Sequence, residues 1–175
     1  MSIATRWGTT AAERQLDFPC DRLLPDADAA YFRAVTVRAR PDVIFRWLCQ
    51  MRVAPYSYDW IDNVGRQSPR HLIPGLDELA LGQRVMSVAK LVDFERDHHL
   101  TGRATSRSLG DLAITYLIAP ESANVCRLLV KIVVAYPRGL VGWILRVLLP
   151  WGDLIMMRRQ LLNFKQLAER TSDGA

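Results

Sequence analysis

The sequence contains little cysteine: Cys20, Cys49 and Cys126 are its three cysteines among 175 residues. Three cysteines cannot all pair in disulfides, and none of them lies in a Cys-x-x-Cys motif. This usage argues against a disulfide scaffold and a structural zinc site, and it fits a reducing compartment. The first seven residues also lack the apolar stretch of a secretory signal, so we expect a cytoplasmic protein.

Motifs of the common catalytic and nucleotide-binding sites are missing as well. The chain has no nucleophile elbow, no phosphate-binding loop, no glycine-rich dinucleotide motif and no His-Glu-x-x-His motif. We therefore predict no cofactor and name no catalytic residue. His98 and His99 are adjacent, and in a strand they would point to opposite faces and could not bind one ion together. We interpret them as histidines of a surface turn and expect no metal site there.

Charge is balanced over the first 121 residues, and the net charge of +5 arises from residues 122–175. The basic residues there are dispersed, without a tight run or an interleaved aromatic platform, which argues against nucleic-acid binding. We interpret them as the solvated face of a helix, with weak attraction to anionic lipid as the main alternative. The longest apolar stretch, residues 140–155, is interrupted by Arg146, Pro150 and Asp153, so we expect no transmembrane helix.

The composition that remains, 50% hydrophobic, is typical of one globular domain. Residues 1–29 are polar and turn-rich and are predicted to form an irregular arm, followed by a single domain over residues 30–171. Predicted strands cover residues 30–38, 85–94, 100–105, 112–119 and 125–136. A short amphipathic helix is predicted to begin at Pro41, and a second one is predicted over residues 58–64.

Two stretches near the C-terminus carry the clearest patterns. In residues 125–136 apolar side chains alternate with Arg127 and Lys131, which is typical of a half-buried strand in an antiparallel sheet. An apolar helix is predicted to begin at Leu140 and to end at Leu149, because Pro150 should break it. A long helix is predicted over residues 151–170, and its apolar stripe consists of Leu154, Met157, Leu161, Phe164 and Ala168.

This order of elements predicts an α+β architecture in which the C-terminal helix lies across one sheet face. The segment Ala-Arg-Pro-Asp-Val-Ile-Phe-Arg-Trp-Leu at residues 39–48 resembles the first-helix signature of the START-like superfamily, also called SRPBCC or polyketide cyclase/dehydrase-like proteins. Further motifs resemble an uncharacterised bacterial subgroup of that superfamily; they lie at residues 7–10, 24–26, 47–51, 56–63 and 156–161. The resemblance implies a Bet v 1-like helix-grip fold, a curved antiparallel sheet wrapped around the long C-terminal helix with an apolar cavity between them.

The superfamily binds hydrophobic molecules, so the resemblance implies a hydrophobic small molecule or a lipid as the partner of this chain. Such pockets are apolar and have few polar anchors. Our candidate pocket residues are Trp47, Tyr58, Tyr116, Val130, Ile132, Met157 and Leu161. Core packing is the alternative role for the aromatic and methionine side chains.

Two other classes of function stay open, and the oligomeric state is not predicted. Some members of the superfamily catalyse aromatisation or cyclisation, and a cyclase or dehydratase would use Tyr58, Tyr116 or Asp93 to donate or accept protons. A membrane-associated or protein-interaction module would leave the apolar helix of residues 140–149 exposed to solvent. Burial of that helix under the N-terminal arm is the competing expectation.

Overall fold

The computed structural model describes residues 2–62, 65–86, 88–106 and 110–174. Its strands are β1 (Arg6–Trp7), β2 (Ala29–Val37), β3 (Arg84–Val85), β4 (Ala89–Glu95), β5 (His99–Ser106), β6 (Gly110–Ser122) and β7 (Val125–Ala135). Its α-helices are α1 (Pro19–Leu23), α2 (Pro41–Cys49), α3 (Asp59–Asp62) and α4 (Leu140–Asp173). The order of a strand, two short helices, a run of strands and a long terminal helix follows the sequence pattern from β2 onward.

The strands form one curved sheet in the order β1-β2-β7-β6-β5-β4-β3. Strand β1 is parallel to β2, and the other neighbouring pairs are antiparallel. Helices α2 and α4 pack against one face of the sheet, which we call the inner face. The predicted α+β helix-grip architecture is thereby confirmed.

The main core lies between the inner face and α4. Strand β7 shows the predicted alternation; its inward side chains Cys126, Leu128, Val130, Ile132 and Val134 are all buried there. The predicted stripe of α4 meets them, with Met157, Leu161, Phe164 and Ala168 buried and Leu154 half-buried. Helical spacing and strand alternation therefore locate both sides of this core.

The opposite, outer face of the sheet is covered by the N-terminal arm, residues 1–29. The arm is more regular than expected, since it contains β1, α1 and two short 3-10 turns. Phe18 and Cys20 of the arm pack against Leu129 and Val133 of β7. Strand β7 is thus buried on both faces at these positions, whereas the sequence pattern predicted a half-buried strand.

Two ion pairs fix the arm to the outer face. The guanidinium of Arg127 lies 2.6 Å from the Glu13 carboxylate, and the ammonium of Lys131 lies 2.7 Å from the Asp21 carboxylate. These basic residues mark the outward side of β7, as the alternation predicts. Their charges face acidic residues of the arm and are only slightly exposed.

The structure corrects the predicted boundaries at two places. The predicted strand of residues 85–94 is two strands, because Met86 has a left-handed φ of 51° and β3 turns back to pair with β4. The predicted break at Pro150 is absent, and α4 continues through this residue. Proline has a helix-compatible φ and removes only one backbone donor, so a helix supported by packing on both sides of it can continue. Of the predicted helix 58–64, α3 is observed, and residues 63 and 64 lie outside the described residues.

Candidate functional site

The structure brings six of the seven predicted pocket residues into one core. Trp47, Tyr116, Val130, Ile132, Met157 and Leu161 are all buried in the cluster between the inner face and α4. Tyr58 lies apart from them, half-buried, with the Arg159 guanidinium 5.9 Å from its ring centroid. Six of the seven predicted residues therefore lie in the sheet–helix interior and Tyr58 lies at its edge, while ligand binding by these residues stays a prediction.

Five of the best-formed depressions in the part of the chain that the structure describes lie away from these residues. None of the five is lined by any of the seven predicted residues. Large side chains occupy part of the interior between the sheet and α4: the ring of Tyr56 lies 6.1 Å from Trp47 and 5.3 Å from Phe164. The open cavity between the sheet and α4 therefore stays a prediction.

Two successive hydrogen bonds form a polar chain of side-chain and backbone groups across this interior. The hydroxyl of Tyr116 on β6 donates to Oε1 of Gln160 on α4 at 2.6 Å, and Nε2 of Gln160 donates to the carbonyl of Pro55 at 2.6 Å. Burial and the nearby Asp153 raise the pKa of Tyr116, so its hydroxyl stays protonated and acts as a donor. Tyr116, Gln160 and Pro55 therefore link the sheet, the long helix and the loop after α2.

Methionine sulfurs surround this polar chain. The Tyr116 hydroxyl lies 3.1 Å from the sulfur of Met86 and 3.8 Å from that of Met157, and Nε2 of Gln160 lies 3.9 Å from the sulfur of Met51. Methionine side chains are flexible and adapt their shape to what they contact. We call Met51, Met86, Met157, Tyr116 and Gln160 the methionine cluster.

A small pit lies beside this cluster, between the loop after α2 and helix α4. Its volume is about 100 Å³, and Tyr56, Ser57, Asp59, Arg159 and Asn163 are among its lining residues. Tyr56 has a left-handed φ of 59°, and Asn163 Nδ2 donates to its carbonyl at 2.8 Å. Burial raises the pKa of Tyr56 to about 12, and its buried hydroxyl has no hydrogen-bond partner among the described residues.

Residues 56–60 contribute both to the core and to the lining of the pit. Tyr56 is buried in the core and also borders the pit, which Ser57 and Asp59 line as well. The Asp59 carboxylate accepts hydrogen bonds from the backbone and hydroxyl of Ser68, which closes the following loop. Trp60 points to solvent with an exposed fraction of 75%.

A buried ion pair beneath α4 was not predicted from the sequence. Arg33 on β2 is fully buried, and its Nη2 lies 2.7 Å from Oδ2 of Asp153 on α4. The same nitrogen donates to the carbonyl of Ala4 at 2.7 Å, so the arm, the sheet and the helix meet at this charge. Burial raises the pKa of Asp153 to about 6 although the Arg33 guanidinium favours the charged carboxylate.

The residues of this pair could be found from periodicity. Arg33 shares its strand parity with the inward residues Tyr31 and Val35. Asp153 precedes Met157 by four residues, which is one helical turn on the same face. Gln160 was missed in the same way, since it lies beside Leu161 in the buried stripe of α4.

His98 and His99 lie together at the turn between β4 and β5. Their Nδ1 atoms are 3.1 Å apart, and the Glu95 carboxylate lies 3.1 Å from Nδ1 of His98. Because His98 belongs to the turn, as interpreted from the sequence, and not to a strand, the two side chains do not point to opposite faces. Asp93 accepts from Nε2 of His99 at 3.2 Å and lies on the outer side of the sheet, away from Tyr116.

The first half of α4 exposes a continuous apolar surface. Its exposed large hydrophobic residues are Leu140, Val141, Trp143, Ile144, Val147, Leu148, Trp151 and Ile155. Helical spacing places them on one side of the helix, and we call this set the α4 face. The arm contacts α4 through the turn Ile3–Thr5, through the ion pair of Asp28 with Arg146 at 2.7 Å, and through Trp7, whose ring centroid lies 5.7 Å from the Arg158 guanidinium. The eight residues of the α4 face stay exposed beside these contacts, so among the described residues the expected burial of this face under the arm does not occur.

By length and composition, α4 is able to cross a membrane, and 17% of its most apolar 18-residue stretch is buried. The sequence argued against a membrane span because Arg146, Pro150 and Asp153 interrupt the apolar stretch of residues 140–155. The continuity of α4 removes the interruption at Pro150, while the charges of Arg146 and Asp153 remain within the stretch. The second half of α4 lies in the protein core, however, which ties the helix to the sheet.

No protein-family model and no curated protein matches the sequence. Solved structures do match: the Zhui aromatase/cyclase of a Streptomyces species has a TM-score of 0.53 and 12% identity, with 81% of this chain and 94% of that chain covered. A hypothetical protein of Helicobacter pylori has a TM-score of 0.56 and 14% identity, with coverage of 87% and 95%. A Mesorhizobium loti protein has a TM-score of 0.50 and 14% identity, with coverage of 82% and 98%. At these identities the likeness shows the fold alone, and this chain therefore has a helix-grip fold, as these solved structures do.

Proposed function

We propose that this protein is a lipid-binding protein that docks on an anionic membrane surface through the α4 face. The observation that carries the proposal is the exposure of eight large hydrophobic side chains on one side of one helix. Contiguous apolar surface of this size is uncommon on soluble monomers and marks a contact with a membrane or another protein. Two of the eight are tryptophans, Trp143 and Trp151, a residue type enriched at the membrane–water interface.

The charges around the α4 face favour an anionic bilayer as its occupant. Exposed Arg138 precedes the helix, and exposed Arg158 and Arg159 follow the apolar residues on the same side. The only acidic residue in this stretch, Asp153, turns inward to Arg33. Apolar side chains flanked by arginines fit lipid tails and anionic headgroups together. A cytoplasmic location, expected from the sequence, would present the face to the anionic leaflet.

The geometry favours docking on the surface over crossing the membrane. The apolar stretch of residues 140–155 is about 24 Å long at the rise of an α-helix, whereas a bilayer core is about 30 Å thick. Arg33 and Asp153 also tie the middle of α4 to the sheet. The helix would therefore lie in the headgroup region with its apolar side toward the lipid tails.

Vesicle co-sedimentation tests this proposal with a matched pair of tryptophan variants. The full chain is incubated with vesicles of phosphatidylcholine and phosphatidylglycerol, and Trp143→Glu is compared with Trp60→Glu. Both tryptophans are exposed, at 66% and 75%, but only Trp143 lies on the α4 face. We expect Trp143→Glu to lower the bound fraction at least tenfold and Trp60→Glu to leave it unchanged.

Two results would overturn membrane docking. One is wild-type protein that stays in the supernatant with these vesicles. The other is a concentration-dependent dimer on gel filtration that Trp143→Glu dissociates while vesicle binding stays unaffected, because a second copy would then be the occupant of the face.

A second candidate function is binding of a hydrophobic small molecule or a lipid inside the fold, between the sheet and α4. The methionine cluster favours it, because Met51, Met86 and Met157 can rearrange around a guest while Tyr116 and Gln160 supply polar anchors. The unpartnered hydroxyl of Tyr56 adds a further donor next to the pit. A ligand at the Tyr116 hydroxyl would have to displace methionine side chains, since their sulfurs contact it.

Uptake of a fluorescent fatty-acid probe tests internal binding. Tyr116→Phe removes the anchor hydroxyl of the inner face, and Thr115→Val removes a buried hydroxyl of the outer face on the same strand. We expect the probe affinity to fall severalfold in Tyr116→Phe and to be unchanged in Thr115→Val. Native mass spectrometry that finds only apoprotein, together with no probe uptake, would overturn this candidate.

The cyclase or dehydratase hypothesis receives less support from the geometry. Its three proposed proton-transfer groups do not gather at one place: Tyr116 is in the core, Tyr58 is at the edge under Arg159, and Asp93 is on the outer side. A general acid and base must reach the same substrate. We therefore propose binding as the function of this chain.

A further inference from the structure

We infer that the turn between β4 and β5 is a binding site for a divalent transition-metal ion of the zinc type. The ligands are Glu95, His98 and His99, whose donor atoms all lie within 4.8 Å of one another. This inference departs from the sequence-based expectation of no metal site at these histidines. It concerns the outer side of the sheet, and it is independent of the α4 face and of the methionine cluster.

The turn itself explains why the three donors meet. Strand β4 ends at Glu95, and the backbone N–H of His98 donates to the Glu95 carbonyl at 3.1 Å. Asp97 has a left-handed φ of 60°, which reverses the chain within three residues. His98 then lies beside His99, the first residue of β5, and Glu95 is the cross-strand partner of His99.

The separations of the donor atoms match a metal-binding triangle. The Nδ1 atoms of His98 and His99 are 3.1 Å apart, and Oε2 of Glu95 lies 3.1 Å from the first and 3.9 Å from the second. Ligands about 2.0–2.1 Å from a tetrahedral zinc ion are separated by about 3.4 Å, and the observed distances bracket this value. Two imidazoles and one carboxylate leave the fourth position open for water.

A hydrogen bond to Asp93 orients the His99 ligand and fixes its tautomer. Nε2 of His99 lies 3.2 Å from Oδ2 of Asp93, and a carboxylate can only accept, so Nε2 carries the proton. Nδ1 of His99 is therefore the unprotonated nitrogen and offers its lone pair to a metal. A histidine ligand whose other nitrogen donates to a carboxylate is a recurring arrangement at zinc sites.

His98 needs only a change of tautomer to become the second nitrogen ligand. Its Nδ1 faces the Glu95 carboxylate at 3.1 Å, so without a metal this nitrogen carries the proton and donates. Metal binding at Nδ1 moves that proton to Nε2 through solvent, and no net charge leaves the imidazole. His98 and Glu95 are half or more exposed, which keeps the path from solvent open, while His99 is held in place by burial.

The donor set selects the class of metal. Imidazole nitrogen suits zinc, cobalt, nickel and copper, whereas magnesium and calcium prefer a shell of oxygens. All three ligands lie in one hairpin turn, Glu95 to His99, so a bound ion would cross-link the end of β4 to the start of β5. A ligand that binds only the folded state raises the unfolding temperature.

Cobalt(II) binding to the full chain, prepared without a histidine tag, tests the inference. His71 provides a matched control, since the sequence has three histidines and His71 is exposed and outside the turn. We expect one cobalt per chain with a visible ligand-field band and competition by zinc. We expect His98→Ala to weaken binding at least tenfold, Asp93→Asn to weaken it about tenfold, and His71→Ala to have no effect.

Thermal unfolding gives a second measurement on the same proteins. Zinc should raise the unfolding temperature of the wild type and of His71→Ala, and it should leave that of His98→Ala and Glu95→Gln unchanged. Both of these substitutions replace exposed side chains, so the variants are expected to fold. Metal binding that persists in His98→Ala and Glu95→Gln, or wild-type protein that binds no cobalt, would overturn the inference.

Discussion

Arg33 carries a full positive charge beneath α4, and the surrounding groups decide how costly that burial is. Its guanidinium pairs with Asp153 and donates to the backbone carbonyls of Phe32 and Ala4. Its Nε has no hydrogen-bond partner among the described residues, so one N–H donor of the buried guanidinium makes no hydrogen bond there. Burial lowers the pKa of Arg33 and raises that of Asp153, which means that the folded protein disfavours both charges.

The first prediction follows from Asp153. Its pKa rises from 3.8 to about 6 on folding, so its contribution to the free energy of unfolding is full below pH 4 and is lost as the pH rises through 6. We expect the wild type to lose up to about 3 kcal/mol relative to Asp153→Asn between pH 4 and pH 7. Urea unfolding of both proteins at intervals of pH measures this difference.

The opposite slope would show that the attraction of Arg33 outweighs burial at Asp153. A double variant, Arg33→Met with Asp153→Leu, is the control for the pair as a whole. Removing both charges together leaves no unpaired group, so this variant should lack the pH-dependent difference and keep most of its stability.

Single residues also show the limits of what the sequence predicts. Tyr116 and Met157 were placed in the interior from strand parity and helical spacing, and both are there. Gln160 and Arg33 were missed because a polar residue in an apolar stripe is normally interpreted as solvent-facing. Only three-dimensional proximity, such as that of Gln160 to Tyr116 across the sheet–helix interface, shows which polar groups such residues contact in the interior.

At the scale of elements, the position of α4 depends on close contact at its first turn. Gly142 is buried, and a Cβ added there would lie 1.8 Å from the carbonyl oxygen of Pro137. Gly152 is on the same helix, is exposed, and has no atom within 4 Å of an added Cβ. One helix thus contains a glycine required by packing and a glycine that packing does not require.

The second prediction uses this pair of glycines. Gly142→Ala should lower the free energy of unfolding by about 1–3 kcal/mol, because the Pro137 backbone or the start of α4 has to move. Gly152→Ala should raise it by up to about 1 kcal/mol, because alanine is the better helix former. Thermal and urea unfolding of the two variants check both signs, and equal effects of the two substitutions would contradict the assigned contact.

The sequence predicts elements better than it predicts their ends. Strand β7 and the buried stripe of α4 were found because their periodicity extends over ten or more residues. The break between β3 and β4 was missed because it depends on the left-handed backbone conformation of one residue, Met86. A methionine in the sequence does not predict that conformation. The continuity of α4 was missed because Pro150 normally ends a helix and only packing around it allows the exception.

At the scale of the whole molecule, large side chains occupy the interior between the sheet and α4, while the α4 face is exposed. The sequence provides large side chains, such as Trp47, Tyr56 and Phe164, that occupy part of the space between sheet and helix. Resemblance to a superfamily of cavity proteins could not reveal this, because packing depends on which side chains meet across the core. In the first half of α4, Leu145 and Leu149 pack against that core on one side of the helix, and the apolar residues of the α4 face on the other side face solvent.

The third prediction concerns the distribution of charge over the molecule. The net charge of +5 arises from residues 122–175, and Arg158 and Arg159 lie beside the α4 face. If the face docks on anionic lipid, each arginine near the surface contributes about 1 kcal/mol, and salt screens this contribution. We expect the affinity for phosphatidylglycerol-containing vesicles to fall at least tenfold between 50 and 500 mM NaCl. The reason is that salt shortens the Debye length, which is ~10 Å at 0.1 M, and so screens the attraction between the arginines and the lipid headgroups.

A matched pair of double variants separates local charge from total charge. Arg158→Gln with Arg159→Gln removes two charges beside the α4 face, whereas Arg22→Gln with Arg84→Gln removes two exposed charges from α1 and β3. The first variant should bind anionic vesicles about thirtyfold more weakly at low salt and show a flatter salt dependence, because about 2 kcal/mol of attraction is missing. The second should resemble the wild type. Equal losses in the two variants would mean that total charge, and not the surroundings of the α4 face, governs membrane binding.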